Sequence, residues 1–309
     1  MSSFTSVFKT DEARVVLAVL LMLGVVEVFF RTAGHHLSQD VVSTKQIAKT
    51  ADELAAAPKP RLLIVGNSMA RESVDPALLE SELKQTNAAA ARSVFMAYPD
   101  SSHALVWDYL LEKHFLKKDQ APDELIIVTG RQHMLDSPGN HSHMGAYYVS
   151  WSAAPRYLRE DTPSFDAGAE FLLGRLSATY SMRARVSPRV FDVILPHYQE
   201  NWVILNRAAL AGKGVALSGN NNTGTTRHFE HLARTLKSRG VRLTLVAAPL
   251  PYSYEIAPPV LSALKELEVP LINLNPIAGI NDGSFADADH LNASGKAVFT
   301  RALAKALAK

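Results

Sequence analysis

Short apolar runs and longer amphipathic stretches alternate along most of the chain after residue 60. The runs have the length and residue types of buried strands. They predict β-strands at Arg61–Val65, Ser93–Ala97, Glu124–Thr129, Arg242–Ala247 and Pro270–Leu274. The amphipathic stretches predict helices at Pro76–Lys84, Ser102–Phe115, Thr225–Arg239, Pro258–Leu267 and Ala293–Leu307. Because buried strands separated by helices are typical of a parallel sheet covered on both faces, the pattern predicts an α/β fold.

One interval departs from this alternation. Between Arg131 and Asn222, about ninety residues separate the third predicted strand from the fourth, more than a single crossover connection needs. Residues 133–222 are therefore predicted to form an insertion or cap. The Gly- and Asn-rich cluster Gly219–Gly224 predicts the loop that closes it.

The longest apolar run, Val15–Phe30, lies near the N-terminus and contains Glu27. This run is shorter than the roughly 20 helical residues that cross a bilayer, so it must extend over residues 13–34 to form a membrane anchor. Glu27 is then expected to lie away from the bilayer centre or to face a partner helix. A signal peptide and a soluble amphipathic helix are the alternatives, but residues 29–32 lack the small residues of a cleavage site. Positive charges on both flanks leave the orientation open.

The predicted domain organisation follows from these patterns. Residues 1–34 form the membrane anchor and residues 35–60 a linker or stalk, which is partly helical and is ended by prolines. Residues 61–309 form the α/β domain with its insertion.

Composition and charge narrow the class of protein. A chain of 309 residues that is 47% hydrophobic and 20% charged is neither disordered nor a low-complexity scaffold. The net charge of +2 gives no whole-chain indication of nucleic-acid binding. The chain has no cysteine, so cysteine nucleophiles, thiolate metal sites and disulfides are excluded. His141 and His143, near His133, lie in a loop without a nearby acidic ligand, so neither a metal site nor a cofactor is predicted.

A serine stands where the first predicted strand ends. The strand runs directly into Gly66-Asn67-Ser68, which puts Ser68 at the edge of the sheet where open α/β folds bind their ligands. A hydroxyl in such a turn is accessible, and its own backbone N–H lies beside it, as a nucleophile and its first oxyanion donor require. A serine before a helix is also a common N-cap. The position of Ser68 alone therefore does not distinguish a nucleophile from an N-cap, and a second sequence signal is needed.

That second signal is Asp287-Ala288-Asp289-His290, which lies between the last predicted strand and the last helix. An aspartate three residues before a histidine on a tight turn can accept the Nδ1–H of the imidazole. This fixes the tautomer that leaves Nε2 free to take a proton from a hydroxyl. The placement after the last strand brings His290 to the same edge of the sheet as Ser68.

Together, Gly66-Asn67-Ser68 and Asp287-x-x-His290 resemble the SGNH (GDSL-like) hydrolase superfamily. The resemblance covers about residues 61–131 and 223–309 and implies a three-layer α/β/α domain with a flavodoxin-like parallel sheet. It also implies that Ser68 is the nucleophile, His290 the general base and Asp287 the residue that orients His290. In such enzymes the acyl group of an ester passes to the serine and then to water or another hydroxyl.

The oxyanion-binding positions of the superfamily are altered in this chain. Asn67 replaces an aspartate whose role is structural. The glycine that supplies the second donor is absent from Tyr98-Pro99-Asp100-Ser101-Ser102, where the backbone N–H of Asp100 or Ser101 is expected to serve. Gln132 stands where an asparagine amide is usual and offers the same donor on a longer side chain. The resemblance thus implies an oxyanion hole formed by Ser68, Asp100 or Ser101, and Gln132.

An N-terminal anchor joined to such a domain is similar in architecture to the alginate O-acetylation proteins and the D-alanyl transfer protein of teichoic acid. That similarity implies a single-pass protein of the cytoplasmic (inner) membrane with its catalytic domain outside the cytoplasm. The expected function is that of an esterase or O-acyltransferase acting on a surface polysaccharide or another acylated polymer, with a membrane-bound O-acyltransferase as a partner. The alternative is a non-catalytic binding or assembly protein of a polymer-modification complex, which the altered oxyanion positions keep open.

Overall fold

The computed structural model of the chain describes residues 11–34, 39–86, 91–117, 120–130, 133–198, 200–201, 204, 224–252, 254–287 and 289–308. Within these residues, parallel strands form one sheet in the order β2-β1-β3-β4-β5. The strands are β1 (Arg61–Val65), β2 (Ser93–Ala97), β3 (Glu124–Thr129), β4 (Arg242–Ala247) and β5 (Leu271–Asn273). This is the strand order of flavodoxin-like doubly wound sheets. The prediction of an α/β fold with a parallel sheet is confirmed.

The other regular elements of the described residues are mostly α-helices. Their bounds are α1 (Asp11–Thr32), α2 (Gln39–Ala56), α3 (Ser68–Ser73), α4 (Pro76–Thr86), α5 (Ala104–His114), α6 (His141–His143), α7 (Ala154–Glu160), α8 (Phe165–Leu176), α9 (Ala178–Ile194), α10 (Arg227–Ser238), α11 (Pro258–Glu266) and α12 (Ala293–Leu307). Helix α5 begins two residues later than predicted, because Ser102 is held outside it. The Ser102 hydroxyl accepts a hydrogen bond from Trp107 Nε1 at 2.7 Å, and its carbonyl accepts one from Asn67 Nδ2 at 3.2 Å.

The chain divides into two compact units. One comprises residues 1–42, 140–147 and 162–211 and is called the helical unit here. The other, the sheet unit, comprises residues 43–139, 148–161 and 212–309. This grouping differs from the predicted organisation, because most of the insertion 133–222 belongs with the N-terminal helix rather than with the sheet. The Gly219–Gly224 loop predicted to close the insertion begins outside the described residues.

The core of the sheet unit lies on both faces of its central strands. Every residue of β1 and of β3 is buried, so layers of side chains cover both faces, consistent with a three-layer α/β/α arrangement. On one face, alternate residues of β1, such as Leu62 and Ile64, pack in one cluster with Leu79 of α4 and Phe299 of α12.

The predicted stalk is a packed helix. Residues 35–38 lie outside the described part, and α2 follows directly. Ile47, Ala51 and Leu54 of α2 are buried at a spacing of three to four residues, which places them on one helical face. The guanidinium of Arg61, at the start of β1, donates to the carbonyls of Leu54 and Ala55 at 3.4 Å. The part of α2 from Ile47 to Leu54 therefore packs within the sheet unit.

A buried ionic cluster joins α5, α7 and α10 within the sheet unit. His228 donates from Nδ1 to Asp108 at 3.1 Å and from Nε2 to Asp161 at 3.0 Å. Asp108 also accepts from His231 Nδ1 at 2.8 Å and lies 3.4 Å from the guanidinium of Arg156. The two carboxylates and His228 are at least 95% buried, so each charge depends on its partners for solvation.

The electrostatics of the cluster follow from this geometry. Burial by itself lowers the pKa of His228, but the bonds to Asp108 and Asp161 outweigh burial and raise it to about 9. The bond from His228, with those from Tyr109 and Arg227, outweighs the effect of burial on Asp161 and lowers its pKa to about 2. Because the folded-state pKa of His228 lies above its ordinary value of about 6.5, charged His228 contributes fully to the stability of the folded protein below about pH 6.5. The contribution is lost as the pH rises through about 9.

In the helical unit, α1 has the properties predicted for the anchor. It is 22 residues long, is apolar enough to span a membrane, and has no buried residue. Its Glu27 accepts hydrogen bonds from the Ser177 hydroxyl at 2.8 Å and from the Ala178 N–H at 2.7 Å. The chain's own α9 is thus the helix that this carboxylate faces. Arg31 forms an ion pair with Glu27 at 2.8 Å.

Candidate active site

Ser68 is the first residue of α3, at the turn that follows β1. The turn is tight, because a Cβ at Gly66 would lie 2.3 Å from Ala70 Cβ and 2.6 Å from the Val128 carbonyl oxygen. Asn67 is buried and caps α3 by accepting from the Met69 N–H at 2.9 Å. Its amide also donates to the carbonyl of Ser102. Asn67 therefore has a structural role, as the resemblance implies, and it joins the loop that follows β1 to the loop that follows β2.

His290 and Asp287 lie between β5 and α12. The side chain of Asn292 caps α12, and His290 lies just before this cap. Asp287 Oδ1 accepts from the backbone N–H groups of Asp289 and His290, both at 2.9 Å. The His290 Nδ1 lies 2.9 Å from Asp287 Oδ2, and His290 Nε2 lies 2.9 Å from Ser68 Oγ. The structure thus brings Ser68, His290 and Asp287 into one hydrogen-bonded chain across 222 residues of sequence.

The carboxylate of Asp287 orients the imidazole of His290 in this chain. The hydrogen bond from the Asp289 N–H, followed by the one from the His290 ring, lowers the pKa of Asp287. Asp287 is consequently ionised at neutral pH, and an ionised carboxylate accepts the Nδ1–H of the ring. Nε2 then carries the lone pair that points at the Ser68 hydroxyl. The Asp287 side chain is 57% exposed and His290 is 28% exposed, so this site is open to solvent.

The loop after β2 contains two of the predicted oxyanion residues. The Asp100 carboxylate accepts from Arg71 of α3 at 2.6 and 2.9 Å, which attaches this loop to the helix that begins with Ser68. Ser101 has a φ of +55°, in the left-handed region that favours glycine. The backbone therefore adopts at Ser101 a conformation that a glycine adopts without strain. Gln132, the remaining predicted oxyanion residue, lies outside the described residues.

A cavity of about 550 Å³ opens beside Ser68 and His290, and Ser101 lines it. It is also lined by residues that sequence reasoning missed as site residues: His103, Leu250 and Tyr252. Each of these follows the carboxyl end of β2 or β4. Position after a strand was therefore the signal that could have found them.

Two imidazoles in this cavity are neutral. Burial lowers the pKa of His133 to about 4, and burial together with the nearby His228 lowers the pKa of His103. The Nδ1 atoms of both rings are buried and have no hydrogen-bond partner among the described residues. Neither ring therefore adds a positive charge to the cavity next to Ser68.

The described residues contain no group of three His, Asp or Glu side chains placed to hold a metal ion. His143, considered above as a metal ligand, lies in the helical unit. Its Nε2 is 2.6 Å from Arg185 Nη1, and its ring packs edge-on against Tyr147.

No protein-family model matches this chain, and no curated protein sequence matches it significantly. The functional reading of the site therefore rests on its own geometry.

Proposed function

We propose that the protein is a serine ester hydrolase or O-acyltransferase of the SGNH type, with Ser68 as nucleophile, His290 as general base and Asp287 as the orienting carboxylate. The observation that carries this proposal is the continuous hydrogen-bonded chain from Asp287 through His290 to Ser68 Oγ. A nucleophile within hydrogen-bond reach of a base, which a third group orients, is the arrangement that activates a serine.

The proposed reaction proceeds in two acyl transfers. Ser68 Oγ attacks the carbonyl carbon of an ester while its proton passes to His290 Nε2. The tetrahedral intermediate collapses, and His290 returns the proton to the departing alkoxide, which leaves as an alcohol. Water or a polymer hydroxyl then attacks the acyl-serine with His290 as base, and the acyl product leaves as Ser68 regains its proton.

The negative oxygen of the intermediate needs donors beside Ser68. The Ser68 N–H is in the first turn of α3, where N–H groups have no acceptor within their own helix. The loop at Asp100 and Ser101 is attached to the same helix through Arg71 and supplies the second backbone donor in this proposal. Gln132 remains a predicted third donor.

Asp287→Asn tests the orienting role directly. An asparagine keeps the size of the side chain but removes the charge, and its amide can present a donor to Nδ1 and favour the wrong tautomer. We expect organophosphonate labelling of Ser68 to slow by about 10²- to 10⁴-fold while the protein stays folded. Tryptic mapping of the labelled peptide and the melting temperature are the measurements.

Asp282→Asn is a matched control, since this exposed carboxylate lies outside the hydrogen-bonded chain. An unreactive Ser68 in the unaltered protein would contradict the enzymatic proposal and favour the non-catalytic binding or assembly protein. Unchanged labelling in Asp287→Asn would remove Asp287 from the mechanism.

The proposed location is the cytoplasmic membrane, with α1 as a single-pass anchor and the sheet unit outside the cytoplasm. The proposed substrate class is an acyl ester of a surface polysaccharide or related polymer, and the proposed partner is a membrane-bound O-acyltransferase. Support for the membrane location comes from the length and apolar character of α1, and the chain has no thiol that oxidation outside the cytoplasm would put at risk.

The proposed orientation predicts that alkaline phosphatase fused to the C-terminus is active, because this enzyme works only after export. A cytoplasmic reporter fused at the same position should be silent. The opposite pair of results would place the sheet unit in the cytoplasm and exclude the surface polymer as substrate. The Ser68 chemistry would be unaffected by that outcome.

A further inference from the structure

The helical unit carries an apolar surface beyond α1. In α8, Ala167, Phe171 and Gly174 are buried, which is the pattern of a helix that packs on one face. The other side of α8 is apolar as well: Phe165 is 89% exposed and Leu176 62% exposed, with Leu172 and Leu173 exposed between them. When both faces of a helix carry apolar side chains, neither face typically contacts water.

The end of α9 is also apolar and exposed. Its last turn and the following residue expose five large apolar side chains, of which Val193 is 88% exposed. They are Val190, Phe191, Val193, Ile194 and Leu195. Contiguous apolar exposure on this scale marks a surface that contacts something other than water.

Contacts with α1 place the start of α9 level with Glu27 along the axis of the anchor helix. Glu27 accepts from the Ser177 hydroxyl and from the N–H groups of Ala178 and Thr179, at 2.8, 2.7 and 3.1 Å. These bonds join the carboxylate to the N-terminus of a 17-residue helix, where the helix dipole favours a negative charge. Arg31 adds a bond to the Leu176 carbonyl at 2.5 Å.

If α1 spans a membrane, the position of Glu27 lies within that membrane. Helix α1 is about 33 Å long at 1.5 Å per residue, close to the roughly 30 Å of a hydrocarbon core. Glu27 is five residues from the end of α1, Thr32, and so lies about 7.5 Å inside it. The α8–α9 junction, which is bonded to Glu27, is therefore at the depth to which interfacial helices insert, about 5–10 Å.

We propose that α8 and α9 form a membrane-embedded wedge, whose exposed apolar side chains contact lipid at the boundary between headgroups and acyl chains. This proposal requires α1 to be the membrane anchor, and it does not depend on the chemistry at Ser68. Lipid is the occupant because α9 packs against α1, a helix that itself requires lipid, and because the Glu27 bonds set the depth of the α8–α9 junction. Arg183 of α9 forms an ion pair with Glu170 of α8 at 3.0 Å, whereas Asp166 and Asp192 are exposed.

The absence of cysteine allows a direct test, because single cysteines can be introduced without removing others. The variants Leu176→Cys and Val193→Cys carry an environment-sensitive fluorophore in the full-length protein, reconstituted in phosphatidylcholine vesicles. Leu20→Cys in α1 is the lipid reference, and Lys265→Cys, exposed on α11, is the water reference. Brominated phosphatidylcholine quenches fluorophores in lipid, and iodide quenches those in water.

We expect brominated lipid to reduce the fluorescence at positions 176 and 193 by at least about twofold, as at position 20, with little effect at position 265. Quenching by iodide alone at positions 176 and 193 would overturn the wedge. Protection from both quenchers would also overturn it, since a protein partner or a second copy would then cover the surface. Loss of lipid quenching at position 20 would overturn the anchor and the wedge together.

Discussion

Ser68→Ala is expected to lower kcat/KM for an activated ester such as p-nitrophenyl acetate by at least about 10³-fold. The hydroxyl is the atom that the hydrogen-bonded chain from Asp287 activates, and alanine leaves His290 without a nucleophile to deprotonate. Because Ser68 is only partly buried and its side chain is small, the melting temperature should change little. The measurements are steady-state hydrolysis and thermal unfolding of the full-length protein in detergent.

Ser81→Ala is the matched control for this substitution. Ser81 is an exposed serine of α4 whose hydroxyl accepts a hydrogen bond from Gln85 at 3.0 Å, outside the candidate active site. It should retain full activity. If Ser68→Ala hydrolysed the ester as fast as the unaltered protein, the observed hydrolysis would come from another group, and the serine mechanism would be wrong.

Asp108→Ala is expected to lower the free energy of unfolding by about 3–5 kcal/mol, the range for removing one partner of a buried ion pair. Asp108 is 2% exposed and bonds to His228 and His231, with Arg156 at 3.4 Å. Its removal leaves His228, a buried cation, with Asp161 as its remaining carboxylate partner within the cluster. For the sheet unit this loss corresponds to a melting temperature lower by roughly 6–20 °C.

Glu112→Gln provides the contrast, because Glu112 pairs with the same Arg156 at 2.8 Å but is 36% exposed. A solvent-accessible pair of this kind contributes about 0–1 kcal/mol. Above about pH 9 the two proteins should differ less, since His228 then loses its charge in the folded state. Equal losses of stability in Asp108→Ala and Glu112→Gln at pH 7 would refute the role assigned to the buried cluster.

The strands were predictable because their signal is local. Four of the five have the predicted bounds, and β5 is one residue shorter at each end. Runs such as Leu62–Val65 are apolar at every position, which identifies a strand buried on both faces without reference to the rest of the chain. The placement of Ser68 and His290 at one edge of the sheet also followed from local signals, since Ser68 directly follows β1, His290 lies between β5 and the last helix, and parallel strands end at one edge.

The insertion was predicted only as an interruption. Helix α8 is apolar on both sides, so its sequence does not tell which side packs against protein and which is left exposed. The packing of Gly174 against the Ser142 carbonyl and of α9 against α1 resolves this ambiguity. The bond from Glu27 to the start of α9 joins residues 150 apart in the chain and leaves no mark in either local pattern.

The sequence by itself determined the parallel α/β sheet, the apolar N-terminal helix, and the placement of Ser68 after the first strand and of Asp287 and His290 before the last helix. These properties follow from hydrophobic periodicity and from residues within a few positions of each other. The tertiary structure alone decided the 2.9 Å contact between Ser68 and His290, the left-handed backbone at Ser101, and the charge of His228. Each of these depends on groups distant in sequence, such as Asp108 and His228, 120 residues apart, whose separation is set by the packing of whole helices on the sheet.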